Sequence, residues 1–278
     1  MKLQPVVAGA FYPGSRKELQ STLGAFENEG KVPSLEGEPV GLLLPHAGYF
    51  YSGAVAALGY RAISTPFETV VVAGPSHYMP FQGAALFAGE AVTTPLGDLP
   101  VDQEAARFLL DSGPHIAEIP QAFAREHSVE VHLPLIQKFL PQAKVVPIVM
   151  GQGEKQAVEP LIKGLLALTE RKKFLFVASS DLSHYPKYQT AVDADRQFLD
   201  AMLTGDRKKV EAVDEKIMAK GYTDYFCTHC GREPVATLLG FAKGMGAGCA
   251  QLLTYRNSGD VSGDHSRVVG YGALAFCK

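Results

Sequence analysis

No run of apolar residues in this 278-residue chain approaches the ~20 needed to cross a bilayer, so no membrane-spanning segment is expected. The opening stretch MKLQPVVAGAFYPGSRKELQ is not a secretory leader by sequence: Gly9 breaks its apolar part, Pro5 to Phe11, and no small-residue cleavage site follows. A cytoplasmic location is the expectation. No basic run or stripe is present. Lys and Arg number 26 against 29 Asp and Glu, with the signs well mixed, so neither nucleic acid nor a membrane surface is expected as a partner. Tryptophan is absent, and cysteine is limited to Cys227, Cys230, Cys249 and Cys277. In a long cytosolic chain these read as thiols rather than disulfide staples. Internal repeats and low-complexity segments are also missing.

What is present is ordinary globular usage, with 46% apolar and 20% charged residues. The length suits one α/β domain, 1–278, with a sizeable core. A polar connector, Ser34 to Pro39, separates an N-terminal helix (about Arg16 to Gly30) from the first strong apolar run. Short apolar runs then alternate with amphipathic stretches. Val40–Leu44, Thr69–Ala73, Lys144–Met150, Phe174–Ala178, Leu252–Tyr255 and Arg267–Phe276 read as strands. Ala54–Ile63, Asp102–Leu110 (with Asp102 facing water), Glu154–Thr169, Gln189–Leu203, Lys208–Lys220 and Val235–Met245 read as helices. Continuous apolar strands between helices imply a layered α/β fold with a central, mainly parallel (mixed) sheet flanked by helices.

Three of the strands run directly into a loop that carries histidine. Leu42–Leu44 leads to Pro45-His46-Ala-Gly-Tyr49, Val71–Ala73 to Gly74-Pro-Ser-His77-Tyr78, and Val177–Ala178 to Ser179-Ser-Asp181-Leu-Ser-His184-Tyr185. Ligands of open α/β sheets bind outside the carboxyl ends of the strands. If these strands are neighbours, the three loops meet in one crevice. Neutral imidazole is the commonest metal ligand, and two or three imidazoles with a carboxylate or thiolate hold iron, copper or zinc. Taken singly, each histidine is equally well a hydrogen-bonded structural residue. Tyr49, Tyr78 and Tyr185 read as pocket walls.

Two further elements bear on the chemistry. Cys230 precedes a helix whose first turn holds Pro234, and both the helix dipole and Arg232 would favour a thiolate there. Such a thiolate would be a soft metal ligand. The alternatives are an inert buried thiol or a Cys227/Cys230 dithiol. A zinc ribbon is rejected, because no second Cys-x-x-Cys exists and Cys249 and Cys277 read as core residues. In Arg125-Glu-His127-Ser-Val-Glu130-Val-His132, a regular helix would put His127 and Glu130 on one face and the two histidines about 140° apart. His127 is then a base or substrate contact oriented by Glu130, or else this stretch is a plain helix start with His132 packed sideways. His115 and His229 read as ordinary surface or loop residues, and Asp264 and His265 as marginal pocket contacts on a Gly-rich loop.

The chain resembles the Memo family, also named component B of the AmmeMemoRadiSam system. The resemblance rests on Ala8–Pro13, Pro45–Tyr49, Gly74–His77, Glu126–Glu130 with Leu133-Pro134, Ser179–Asp181 with His184, Cys230–Pro234 and Ser262–Tyr271. It implies a fold similar to the class III extradiol dioxygenases, in which two histidines and a carboxylate hold non-haem Fe(II). The corresponding Memo pocket uses two histidines and a cysteine. By motif the ligands would be His46, His77 and Cys230, with Asp181 and His184 lining the pocket and His184 or His127 moving protons. The resemblance further implies Fe(II), with copper second, an oxidoreductase acting on a small-molecule substrate, and a functional link to a radical S-adenosylmethionine protein. The departure from a carboxylate ligand means that ring cleavage is not implied. A peptide-binding or metal-sequestering protein using the same pocket is the alternative.

Overall fold

The computed structural model describes residues 1–151 and 155–278. In chain order its elements are β1 (Lys2–Leu3), α1 (Arg16–Asn28), β2 (Pro39–Leu44), α2 (Ala54–Arg61), β3 (Thr69–Pro75), β4 (Ala84–Leu86), β5 (Ala91–Thr94), β6 (Gly97–Pro100), α3 (Gln103–Leu110), β7 (Ile116–Glu118), α4 (Leu133–Phe139), β8 (Lys144–Met150), α5 (Val158–Leu168), β9 (Phe174–Ser179), α6 (Tyr188–Met202), α7 (Arg207–Met218), α8 (Arg232–Gly244), β10 (Cys249–Asn257), α9 (Ser258–Ser262) and β11 (Gly270–Cys277). The Glu154 start expected for α5 lies outside the described residues. The short strands β1 and β4 to β7 carry too few residues to give a periodic signal.

Eight strands form one sheet in the order β10-β11-β2-β9-β3-β8-β4-β7, and β1, β5 and β6 form a small second sheet. The four central strands, β2, β9, β3 and β8, are parallel to one another. Antiparallel neighbours flank them, β11 against β2 and β4 against β8. The fold class is thus as expected: α/β, with a mainly parallel sheet between helical layers. Strict alternation along the central strands explains why. Leu42, Leu44, Val70, Val72, Leu175 and Val177 point into one core, which also holds Leu19, Leu23 and Phe26 of α1. Leu43, Val71, Ala73, Phe174, Phe176 and Ala178 point into the other, against Leu161, Leu165, Leu238 and Phe241. Each buried Leu, Val or Phe here contributes about 1.5–3 kcal/mol, so both faces must stay covered.

Two readings of individual residues are corrected. Asp102 does not face water but is 2% exposed. It caps α3 by accepting the Ala105 N–H at 3.1 Å, and it takes further hydrogen bonds from Thr69 Oγ1 at 2.5 Å and Lys172 Nζ at 2.8 Å. A short polar residue before a helix is drawn inward when the first turn and a neighbouring strand supply donors. Cys249 is not a core residue but sits half-exposed on edge strand β10, with its Sγ 3.7 Å from Glu36 Oε2. Cys277, its partner in register across the ladder, is buried as expected.

A buried carboxyl on α6 ties the helical layer to the loop after β9. Asp195 accepts from the Ser183 N–H at 3.0 Å, from Ser183 Oγ at 2.9 Å and from Tyr255 OH at 2.7 Å. Burial outweighs these donors and pushes its pKa up to about 7. The folded protein therefore holds a proton here over a range in which the unfolded chain has lost it. That contribution to stability is complete below the unfolded carboxyl pKa and is lost as pH rises through about 7. The expected outcome is a urea midpoint that falls between about pH 5 and about pH 8 in wild type and falls less in Asp195→Asn. The neutral amide mimics the protonated acid, so Asp195→Asn should fold. Parallel urea midpoint–pH profiles for the two proteins would refute the assignment.

Candidate metal centre

Strand β9 lies between β2 and β3 and pairs in parallel with both, so the three histidine-bearing loops leave neighbouring strand ends. The link between them is Asp181. Its Oδ1 accepts the backbone N–H of His46 at 2.7 Å and that of Ala47 at 3.2 Å, and its carbonyl accepts the N–H of Cys230 at 3.3 Å. Asp181 therefore works through the backbone, holding the His46 and Cys230 loops against each other. Burial raises its pKa against the opposing pull of His184 and the two N–H donors.

Glu126 plays the same part for His77. Its carboxylate accepts the His77 backbone N–H at 2.6 Å and faces His77 Nδ1 at 2.9 Å. A carboxylate only accepts here, so Nδ1 carries the proton and Nε2 offers its lone pair. Carboxylate–histidine pairs of this kind orient imidazoles that bind metals. Gly74, at the end of β3, permits this packing: a Cβ there would lie 2.5 Å from Ser128 Oγ and 2.8 Å from Ser128 Cβ.

His127 completes the cluster, and its position corrects the helical reading. It lies in a loop ahead of the single 3-10 turn Glu130–His132. Glu130 faces away from it, accepting from the Val6 and Val7 N–H groups and from Tyr12 OH. The His127 ring stacks on His77 at 4.5 Å and lies 4.4 Å from Phe11. One ring nitrogen each from His46, His77 and His127 lies within 4.8 Å of the other two. His127 Nδ1 is buried without a hydrogen-bond partner, although Glu126 Oε1 is 3.4 Å away. Burial, reinforced by His77 and opposed by Glu126, lowers the pKa of His127 to about 4.

Cys230 Sγ sits 3.2 Å from His46 Nε2. Donors that share one ion at about 2.0–2.3 Å each lie roughly 3–3.6 Å apart, so this pair fits a common metal. Gly231 allows the approach of α8, since a Cβ there would lie 2.6 Å from the Ser179 carbonyl oxygen. The thiolate expected from the helix dipole and Arg232 is not favoured in the free site. Burial, with Asp181 and Cys227 adding to it, holds the Cys230 thiol well above its ordinary pKa. Arg232 instead pairs with Asp214 at 3.2 Å. Only a bound cation would offset the burial and bring the sulfur to its anionic form. Cys227 and Cys230 are both free thiols, and burial pushes Cys227 up to about 12.

The other candidate residues fall outside the donor cluster. His184 donates Nδ1–H to the Leu182 carbonyl at 2.8 Å, and its backbone bridges Cys227 and Phe226. His265 stacks on Tyr188 at 4.2 Å, and Asp264 bonds Ser266. Of the tyrosines read as pocket walls, Tyr49 is buried, whereas Tyr78 and Tyr185 are exposed. His229 is not a surface residue: it is 4% exposed and packs on Phe198. Two supporting residues carry little local signal. Glu126 sits in a stretch that also reads as a helix start, and Ser179 closes strand β9. His132 is buried beneath the site, with Nε2 2.9 Å from Ser179 Oγ and Nδ1 3.1 Å from Tyr60 OH.

Comparison with known proteins places the chain in a family. The family model described as Memo-like protein matches residues 4–275. The chain belongs to the Memo family. Among its Memo relatives, a MEMO1 family protein of Methanosarcina mazei is 37% identical over 98% of this chain and 97% of its own length. Another, of Nitrosopumilus maritimus, is 34% identical over 98% of both chains. The crystal structure of an uncharacterized protein from Escherichia coli K12 superposes with a TM-score of 0.55 at 13% identity, covering 84% of this chain and 98% of that one. At that identity the likeness is one of fold.

The Memo site as built here has a neutral His127 at physiological pH. In metal-free protein, an NMR titration should show this imidazole unprotonated at pH 6 and protonating only near its lowered value of about 4. An ordinary histidine titration curve would overturn the placement of His127 in the buried stack.

Proposed function

We propose that this Memo-family chain is a metal-binding oxidoreductase of the dioxygenase-like type. Its mononuclear ion, Fe(II) in first place and copper in second, would be held by His46, His77 and Cys230. The observation that carries this reading is the convergence of His46 and His77 with Cys230 Sγ 3.2 Å from His46 Nε2, His77 being backed by the Glu126 carboxylate. The donor set of imidazoles and one sulfur suits iron or copper. A bound ion of that kind would supply redox chemistry with O₂.

The protein's own residues then have distinct tasks. His46 and His77 bind through Nε2, and Cys230 binds as thiolate. Asp181 holds the His46 and Cys230 loops in register through their backbone N–H groups. His127, neutral and packed against His77, is placed to accept a proton from a small substrate held beside the cluster. His184, on the loop after β9, is the second candidate for that role.

A second reading has an observation of its own. Phe50, Tyr51, Tyr78, Tyr185 and Phe226 are exposed aromatics, and each lies within a few residues of His46, His77, His184 or Cys230 in sequence. Exposed aromatics around a site favour contact with a peptide or protein. In that reading the pocket docks a partner or sequesters the metal without turnover.

Metal analysis of protein purified anaerobically tests the first reading. Wild type is expected to carry about one iron or copper per chain, and His46→Ala and Cys230→Ser to lose it while remaining folded by circular dichroism. Glu126→Gln should weaken affinity by roughly 10–100-fold. Full metal content in His46→Ala would sink the assignment. A metal-loaded wild type that consumes no O₂ with any candidate substrate would favour the second reading.

A further inference from the structure

Beneath His46 lies a buried chain of hydrogen-bonding groups that the ligand set does not include. His46 Nδ1 is 2.7 Å from Ser179 Oγ. Ser179 Oγ is also 2.9 Å from His132 Nε2 and 2.6 Å from the Ser128 carbonyl oxygen. His132 Nδ1 is in turn 3.1 Å from Tyr60 OH. Ser179, His132 and Tyr60 are fully buried, and His46 is 1% exposed. Each proton in this chain has to be shared among these groups.

The Ser128 carbonyl settles the direction of every bond. A carbonyl oxygen has no proton, so the contact at 2.6 Å requires Ser179 to donate its only hydroxyl proton there. The hydroxyl oxygen then has two lone pairs and nothing left to give. Both imidazoles that touch it must donate: His46 through Nδ1–H and His132 through Nε2–H. A neutral imidazole has one N–H, so His46 is left with a bare Nε2, the atom that faces Cys230 Sγ. His132 is left with a bare Nδ1, which accepts the Tyr60 hydroxyl proton. Every group in the chain is satisfied by this one assignment. Reversing the His46 tautomer would set two lone pairs against each other at 2.7 Å.

We propose that Ser179, oriented by the Ser128 carbonyl and braced by His132 and Tyr60, is the positioning residue that locks His46 in the Nδ1–H tautomer and so keeps its Nε2 open to a metal. The proposal deepens the metal-binding reading above and, for the consequence of the tautomer, rests on it. The lock is unusual in using a hydroxyl rather than a carboxylate. A serine that already donates to a fixed carbonyl is as strict an acceptor as a carbonyl, yet it brings no charge into the interior. It also serves two histidines at once, so His46 and His132 are held in opposite tautomers. That opposition is a signature which a merely space-filling serine would not produce.

The test uses the metal-free, full-length protein with ¹⁵N-labelled histidine. Long-range ¹H–¹⁵N correlation spectra should show His46 protonated at Nδ1 and His132 at Nε2. Ser179→Ala should abolish the fixed His46 tautomer and weaken Fe(II) affinity, measured anaerobically, by roughly 10–100-fold, and Ser179→Thr, which keeps the hydroxyl, should restore both. Tyr60→Phe supplies a milder variant should Ser179→Ala not fold: it removes only the donor to His132 Nδ1, so the Nε2–H tautomer of His132 and the Nδ1–H tautomer of His46, both set by Ser179, should persist, and loss of either would overturn the proposal. Protonation of His46 at Nε2 in wild type would overturn the proposal. So would a Ser179→Ala protein with an unchanged His46 spectrum and unchanged Fe(II) affinity. Wild type that shows the opposed tautomers but takes up neither iron nor copper would remove the metal reading and leave the tautomer lock standing.

Discussion

The site depends on one buried contact, the acceptance of the His46 and Ala47 N–H groups by the Asp181 carboxylate. Loops at the ends of parallel strands have backbone donors with no ladder partner left, and in a buried crevice those donors must find one. Asp181 provides it across the strand boundary, and its own carbonyl then captures Cys230. Side chains from residues 46 and 230 are thereby brought together, and the Cys230 Sγ itself reaches the Asp181 carbonyl oxygen at 3.8 Å. Glu126 repeats the device one strand over, taking both the backbone and the ring of His77. Two carboxylates thus act as frames, and the groups with chemistry to offer are suspended from them.

That division of labour explains what could be read in advance. The layered sheet was legible because β2, β3 and β9 are unbroken apolar runs, which only burial on both faces accounts for. The histidines at their ends were legible for the same reason, since a strand that stops at Pro-His or Pro-Ser-His advertises its loop. Adjacency of β2, β9 and β3 was not legible, because strand order is a property of crossovers rather than of local pattern. The frames were hidden too. Glu126 and Asp181 exert their effect on backbone N–H groups 49 and 135 residues away, and no spacing rule reaches that far. His127 was placed in relation to Glu130 by a helical period that the chain does not adopt there, and its neighbour Glu126 was the residue that mattered.

The protonation of the site follows from burial more than from charge. His46 and His132 are kept neutral by desolvation, and Cys230 is kept as a thiol by the same cause. A helix dipole and a nearby arginine favour a thiolate by sequence, but the arginine is engaged by Asp214 and burial holds the sulfur as a thiol. His46, His132 and the Cys230 thiol are therefore a group of neutral side chains in a low-dielectric crevice. A cation bound there would offset the cost of burying an ionised sulfur.

The distance along the chain between the pocket's parts has a consequence for synthesis. His46 and Cys230 meet across 184 residues, and the wall behind His127 is built from Phe11. On the ribosome, the histidines emerge long before the cysteine that faces them, and β11, which pairs with β2, emerges last of all. A fragment ending just before Cys230 therefore carries the three clustered histidines but not the sulfur that faces His46.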